Sequence, residues 1–129
     1  FVDFQRSCMT SPVSDLVYFL NSSASPQVLE NNLDCLIEEY HRTLCDTLSN
    51  LGHKNLRPTL DMICSEFHKK GIYGVLVGIS VRSVVLKDEN HIPDFEGIVN
   101  KGNIYLSGAY KTAMKTMLPL YKKWGWLNV

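Results

Sequence analysis

Hydrophobic residues recur at intervals of three and four along most of the chain, which is the spacing of one face of an α-helix. The longest such stripe predicts a helix of about seven turns that begins at Ser25-Pro26 and is ended by Gly52. The apolar positions of this stripe are Leu29, Leu33, Leu36, Ile37, Tyr40, Leu44, Leu48 and Leu51.

Two shorter stripes flank the long one. Ser11-Pro12 carries the same start signal and predicts a short helix through Leu20. Pro58-Thr59 starts another helix, which ends at Lys69-Lys70-Gly71, where cations oppose the helix dipole and glycine follows. The stripe of this second helix is Leu60, Ile63, Cys64 and Phe67.

The region from Ile72 to Leu86 is apolar on almost every side, which predicts a helix that other elements must wrap. Gly74 and Gly78 share one face of it and are expected to let another backbone approach closely. Residues 88–103 predict a loop.

A last helix is predicted from Ile104 to Lys123, disturbed near Pro119 and ended by Gly125. With the helices above, it makes the chain predominantly α. The β content is a strand remnant at the N-terminus, Phe1 to Gln5, where aromatic and β-branched residues alternate. Because Phe1-Val2 needs a partner strand or core to cover it, we expect the chain to begin in the middle of a fold.

Composition narrows the classes of function. The 129 residues fit one domain or part of one, and 13 basic side chains balance 13 acidic ones, which disfavours nucleic acid as a partner. The balance is uneven along the chain, with a net charge of −5 over residues 1–50 (two basic, seven acidic) and +5 over residues 51–129 (eleven basic, six acidic). No apolar run reaches the roughly 20 residues of a membrane span. Four cysteines with no C-x-x-C and no signal peptide predict a reducing, cytoplasmic location.

Asp3 stands at the end of the strand remnant. Phosphoryl-transfer enzymes place a carboxylate at such a position to bind Mg²⁺, which prefers oxygen ligands. A strand-end aspartate is also a common turn former, so the residue alone leaves both interpretations open.

The surrounding residues resemble a known family. The residues that carry the resemblance are Phe-Val-Asp-Phe-Gln, then Ser11-Pro12, Asp15-Leu16 and Tyr-Phe-Leu through Leu20. Together they are similar to the segment after the catalytic loop in the ecdysteroid kinase-like family. This family is a choline-kinase-like and aminoglycoside-phosphotransferase-like branch of the kinase fold. Segments farther along also resemble this family and extend the likeness over essentially the whole chain. They are Leu33 to Leu44, Pro58 to Leu60, Lys70 to Gly78 and Leu118 to Leu127.

The resemblance implies that residues 1–129 are part of a kinase-like domain, namely the C-terminal lobe of a protein-kinase-like α+β fold. It implies an ATP-dependent transfer of phosphate to a hydroxyl of a small, hydrophobic, ecdysteroid-like alcohol. Asp3 would bind Mg²⁺ and, through it, ATP, with Gln5 in place of the glycine of Asp-Phe-Gly. Asp15 would steady the catalytic loop, although pairing with the dipole of its own helix explains it equally well.

The nucleotide loop, the phosphate-binding lysine and the His-Gly-Asp loop of this family are not found in the sequence, so the catalytic residues are expected upstream of Phe1. We therefore expect the chain to be inactive alone. The alternative is a helical module without enzymatic activity that binds a protein or a membrane.

Two smaller sets of residues are further candidate sites. His41 with Cys45 and Cys64 with His68 are spaced four apart, so two packed helices would bring together a Cys₂His₂ zinc site; core packing of these residues is the competing interpretation. The second set would contact a membrane surface, because basic side chains stand beside indoles. Its members are Lys111, Lys115, Lys122, Lys123, Trp124 and Trp126. The competing interpretation is that the tryptophans pack on the core.

Overall fold

The computed structural model describes residues 8–86 and 107–127. Within these ranges it contains five α-helices and one short 3₁₀-helix. They are α1 (Val13–Ser23), α2 (Pro26–Asn50), the 3₁₀-helix (Lys54–Leu56), α3 (Leu60–Lys69), α4 (Gly71–Val85) and α5 (Gly108–Lys123). The predominantly helical character is confirmed, and the described ranges contain no strand. The predicted β remnant, residues 1–5, and the whole of the predicted loop at 88–103 lie outside the described residues.

Side-chain caps start three of the helices. The Ser25 hydroxyl accepts from the Val28 N–H at 3.3 Å, and Thr59 accepts from the Met62 N–H at 3.2 Å, as their positions predicted. The expected start of the last helix at Ile104 is wrong. Ser107 has a non-helical backbone and its hydroxyl accepts from the Tyr110 N–H at 3.3 Å, so α5 begins only at Gly108.

Two helices are ended by a glycine that follows closely in the sequence. Gly52 and Gly125 have φ of +81° and +73°, the left-handed region in which side chains other than glycine are strained. The helix α5 continues through Pro119 to Lys123 before Gly125 turns the chain.

The core lies where α1, α3, α4, α5 and the first half of α2 meet. Its buried members are Val13, Leu16, Val17, Leu20, Leu29, Leu33, Ile37, Ile63, Phe67, Val75, Tyr110, Met114, Met117, Leu120, Tyr121 and Trp126. The second half of α2 is more peripheral than its stripe predicted, since Tyr40 and Leu44 pack on the core only partly and Leu51 is 66% exposed.

Helices α1 and α4 pack side by side and run in the same direction. A Cβ atom placed on Gly74 would lie 3.2 Å from Val17 and 3.0 Å from the Asn21 amide nitrogen. Eight residues further along α4, Arg82 bonds the carbonyl oxygens of Asn21 and Ala24. The start of α4 therefore lies beside the middle of α1, and Arg82 reaches the end of α1.

Two expectations for α4 are corrected. At Gly78 the space is taken by the Tyr121 hydroxyl rather than by a second backbone, whereas Gly74 lies against Val17 and Asn21 of α1 as well as the Trp126 ring. The described residues also do not wrap α4 on all sides, since Ile72 and Leu76 are 62% and 58% exposed.

Candidate functional site

Asp3, the predicted metal ligand, lies outside the described residues. The second predicted residue, Asp15, lies in the first turn of α1 with its side chain exposed. Helix α1 starts without a side-chain cap on Pro12, and the Ser14 N–H is bonded instead to the Ser11 carbonyl oxygen at 2.9 Å. Asp15 thus sits where the positive end of the helix dipole favours a carboxylate.

Two tyrosines from other helices lie within electrostatic range of Asp15. Burial, and secondarily the Asp15 charge, raises the pKa of Tyr40 on α2. The pKa of Tyr73 on α4 is raised by burial first and then by Tyr18, Asp15 and Cys8. Within the part of the chain that the structure describes, the Asp15 carboxylate forms no hydrogen bond or ion pair, so its oxygens are free to accept from a neighbouring group.

A buried arginine fixes the other end of α1. Arg82 is only 2% exposed, and it donates from Nε to the Asn21 carbonyl oxygen at 2.8 Å and from Nη2 to that of Ala24 at 2.7 Å. Nη2 also lies 3.3 Å from the Leu20 carbonyl oxygen. These carbonyls belong to the last turn of α1 and its exit, where they lack helical partners and where the dipole favours a cation. Burial lowers the pKa of Arg82.

Asn21 connects this arginine to α5. Its amide nitrogen donates to the Val17 carbonyl oxygen at 2.8 Å, and its side-chain oxygen accepts from the Tyr121 hydroxyl at 3.0 Å. Burial raises the pKa of Tyr121 well above the usual range of a phenol. The network Asn21, Arg82 and Tyr121 therefore ties α1, α4 and α5 together and holds the helix that carries Asp15.

The sequence alone does not predict this network. The available signal was Arg82 itself, the one charged residue between Gly71 and Leu86. An isolated charge in an apolar helix is either exposed or bonded to polar groups inside the fold, and only the packing of α1 against α4 supplies those groups.

The described residues do not form the Cys₂His₂ zinc site. His41 Nε2 lies 2.9 Å from the Pro58 carbonyl oxygen and 3.4 Å from Cys45 Sγ. His68 instead accepts from Trp126 Nε1 at 3.4 Å. The two pairs have separate partners, and across residues 8–86 and 107–127 no group of three potential side-chain ligands could hold a metal ion.

Core packing, the interpretation that competes with a zinc site, is confirmed for the cysteines only in part. Cys35 is exposed, because it lies opposite the apolar stripe of α2. Cys64 packs against the core while remaining half-buried, and burial followed by the nearby carboxylates Asp61, Asp34 and Glu38 raises its pKa.

The tryptophans near the C-terminus belong to the interior. Trp126 is 5% exposed and stacks on Tyr121, with 5.7 Å between ring centroids, while Trp124 packs partly against the same cluster. The lysines of α5 are exposed, but the two indoles are not arranged to enter a membrane surface with them. Among the helices described, none combines the length and apolarity needed to cross a bilayer.

A shallow depression of about 300 Å³ lies on the outer side of α3. It is lined by Asp61, Met62, Ser65, Glu66 and Lys69, which all belong to one helix surface. Its lining residues do not include Asp15. The depression also lacks the enclosed apolar walls that are typical of a pocket for a hydrophobic molecule.

Comparison with known proteins identifies the N-terminal part of the chain. A model of the ecdysteroid kinase-like family matches residues 1–53, which include Asp3, Asp15, α1 and α2. No curated protein and no solved structure matches the chain. The likenesses noted at Lys70 to Gly78 and Leu118 to Leu127 lie beyond the matched residues and stay predictions. The resemblance seen in the sequence is therefore confirmed for its most specific part, residues 1–53, which are similar to the ecdysteroid kinase-like family.

Proposed function

We propose that this chain forms part of the C-terminal lobe of an ATP-dependent kinase that phosphorylates a hydroxyl group of a small molecule. The observation that carries the proposal is the family match over residues 1–53, which spans both candidate acids. The helical structure of the described residues is consistent with such a lobe.

Asp3 is the proposed magnesium ligand. Mg²⁺ in phosphoryl-transfer sites keeps several waters and takes only one or two protein carboxylates besides the phosphates of the nucleotide. A single aspartate from this chain fits that requirement, and the described residues need not supply a cluster of ligands. Bound there, the ion would neutralise charge on the phosphates of ATP.

Asp15 is proposed as a positioning residue. Its carboxylate is free within the described part of the chain, and its helix is held at the other end by Arg82. A carboxylate fixed in this way is suited to accept N–H groups of a neighbouring loop, which the family resemblance identifies as the catalytic loop.

The proposed acceptor is a hydrophobic alcohol of the ecdysteroid type, and this step rests on the family alone. Apolar side chains of α4, such as Ile72 and Leu76, lie on an open helix surface. They do not enclose a cavity among the residues described, so they supply no independent support for the choice of acceptor.

The test uses the protein with the coding sequence upstream of Phe1 included. Transfer of the γ-phosphate from Mg-ATP to a panel of hydroxylated small molecules is measured for the parent protein and for Asp3→Asn. We expect Asp3→Asn to lower kcat by about a hundredfold or more, because it removes a charge that holds the metal.

Asp15→Asn provides the second arm, with Asp61→Asn as its matched control. Asp61 is also an exposed first-turn aspartate, but on α3 and beyond the family match. We expect Asp15→Asn to lower activity while Asp61→Asn leaves it unchanged. Undiminished transfer by Asp3→Asn would contradict the metal assignment, whereas no transfer by the parent protein to any acceptor would favour the alternative of a helical interaction module.

A further inference from the structure

A histidine and a cysteine of α2 meet a backbone carbonyl oxygen from outside their helix. His41 and Cys45 stand four residues apart and share a face of α2. His41 Nε2 lies 3.4 Å from Cys45 Sγ. The Pro58 carbonyl oxygen lies 2.9 Å from His41 Nε2 and 3.7 Å from Cys45 Sγ. A nitrogen, a sulfur and an oxygen atom therefore form a triangle between α2 and the residue that precedes the Thr59 cap of α3.

This triangle has nearly the dimensions of three ligands around one zinc ion. In tetrahedral sites the bonds from zinc to sulfur, nitrogen and oxygen ligands place neighbouring donor atoms about 3.4–3.6 Å apart. The two distances that involve Cys45 Sγ, 3.4 and 3.7 Å, are close to this spacing. The 2.9 Å between His41 Nε2 and the Pro58 oxygen is the length of a hydrogen bond, and it must increase by about 0.5 Å when a metal replaces the shared proton.

The chemistry of the three donor atoms favours zinc. Thiolate and imidazole ligands suit Zn²⁺, whereas Mg²⁺ prefers oxygen ligands. Two ligands four residues apart on one helix are also the arrangement by which the His-Glu-x-x-His motif binds zinc. The third donor is a backbone carbonyl, so the set exists although the described residues contain no cluster of three side-chain ligands. His41, Cys45 and Pro58 are all partly exposed, which lets an ion and a water molecule reach them from solvent.

We propose that Cys45 Sγ, His41 Nε2 and the Pro58 carbonyl oxygen bind one Zn²⁺ ion, with water as the fourth ligand. Cys45 loses its thiol proton to solvent as the zinc–sulfur bond forms. His41 binds as a neutral imidazole, and its proton moves from Nε2 to Nδ1, which has no hydrogen bond among the residues described. The bound ion connects α2 to the segment that leads into α3.

A second pair with the same spacing lacks the third donor. Cys64 and His68 also stand four residues apart, on α3. His68 Nδ1 accepts from Trp126 Nε1 at 3.4 Å. Burial, followed by nearby carboxylates, raises the pKa of Cys64, which opposes the loss of the thiol proton that metal binding requires. This pair therefore serves as a matched control for the proposed site.

Titration of the reduced 129-residue chain with Co²⁺ tests the site, because cobalt occupies zinc sites and shows an absorption band when a thiolate binds it. We expect a single equivalent of Co²⁺ to produce this band, and Zn²⁺ but not excess Mg²⁺ to abolish it. Cys45→Ser should remove the band. His41→Asn should weaken cobalt binding at least tenfold, since loss of even an outer-sphere partner costs about that much. Cys64→Ser should change neither the band nor the affinity.

The absence of the band in the parent chain with Co²⁺ in large excess would overturn the proposal, as would a band that survives Cys45→Ser. NMR tests the carbonyl ligand, because the Thr59 N–H belongs to the same peptide group as the Pro58 carbonyl. Zn²⁺ should shift the Thr59 amide resonance in the parent chain and not in Cys45→Ser. An unchanged Thr59 resonance in the zinc-bound parent would contradict the bridge to α3. Because no phosphate transfer is measured, this proposal and the kinase proposal can fail independently.

Discussion

Three glycines of α4 leave space for the aromatic side chains that contact them. Gly71 faces the Trp126 ring, Gly74 is close to Trp126 and Asn21, and Gly78 faces the Tyr121 hydroxyl. Each lies where a Cβ atom would collide with a buried group that other contacts hold in place. The close packing of protein interiors leaves little room for such a group to move.

Gly78→Ala is therefore expected to destabilise the fold by about 1–3 kcal/mol, because the gain in helix propensity does not offset the displacement of Tyr121. Urea denaturation followed by circular dichroism measures the change. Gly108→Ala is the control, since nothing lies within 4 Å of a Cβ atom there, and it should be neutral or slightly stabilising. A Gly78→Ala protein as stable as the parent would show that Tyr121 moves at little cost.

At the scale of the elements, α1 depends on α4 for its C-terminal end. The last carbonyls of a helix need partners from outside the helix, and three of those around Ala24 receive N–H groups from Arg82. The arginine in turn is buried without a carboxylate partner within hydrogen-bonding range among the residues described. Helix dipole and carbonyl oxygens take the place of a counter-ion.

Replacing Arg82 by methionine keeps much of the volume but removes every donor. We expect a loss of about 2–3 kcal/mol in the free energy of unfolding, because carbonyls that remain buried lose a charged partner. Arg57→Met is the control, as Arg57 is exposed and bonds only the nearby Lys54 carbonyl oxygen. Equal urea midpoints for the two variants would contradict a structural role for the Arg82 network.

For the whole molecule, the same network predicts how stability changes with pH. The pKa of Tyr121 is raised in the folded state by burial, and the unfolded chain titrates with the ordinary value near pH 10. The contribution of Tyr121 is fully present below about pH 10 and is lost as the pH rises toward the folded pKa, because the unfolded state releases its proton first.

Urea midpoints at pH 8 and pH 11 test this dependence. The parent chain should lose more stability between the two values than Tyr121→Phe, which has no phenol to ionise. At pH 8 the variant should be less stable by about 1 kcal/mol, because it lacks the hydrogen bond to Asn21. An identical loss in both proteins would mean that other groups govern alkaline unfolding.

The sequence by itself determined the local features. Helix starts at Ser25 and Thr59, and the ends at Gly52 and Gly125, depend on residues a few positions apart, so they could be predicted without the fold. The family resemblance and the candidate acids Asp3 and Asp15 also came from a contiguous stretch of residues, and the match over residues 1–53 confirms the resemblance there. The roles of those two acids stay predictions.

Only the tertiary structure decided which faces of the helices are buried and which residues they contact. Nothing near Arg82 in the sequence indicates that its partners are carbonyls about sixty positions earlier, and the partner of Gly78 is a tyrosine on a different helix. The apolar residues of α4 look alike in sequence, yet Val75 and Val77 are buried while Ile72 and Leu76 are exposed. The physical reason is that periodicity depends on neighbours within one helix, whereas burial depends on which other helices pack against it.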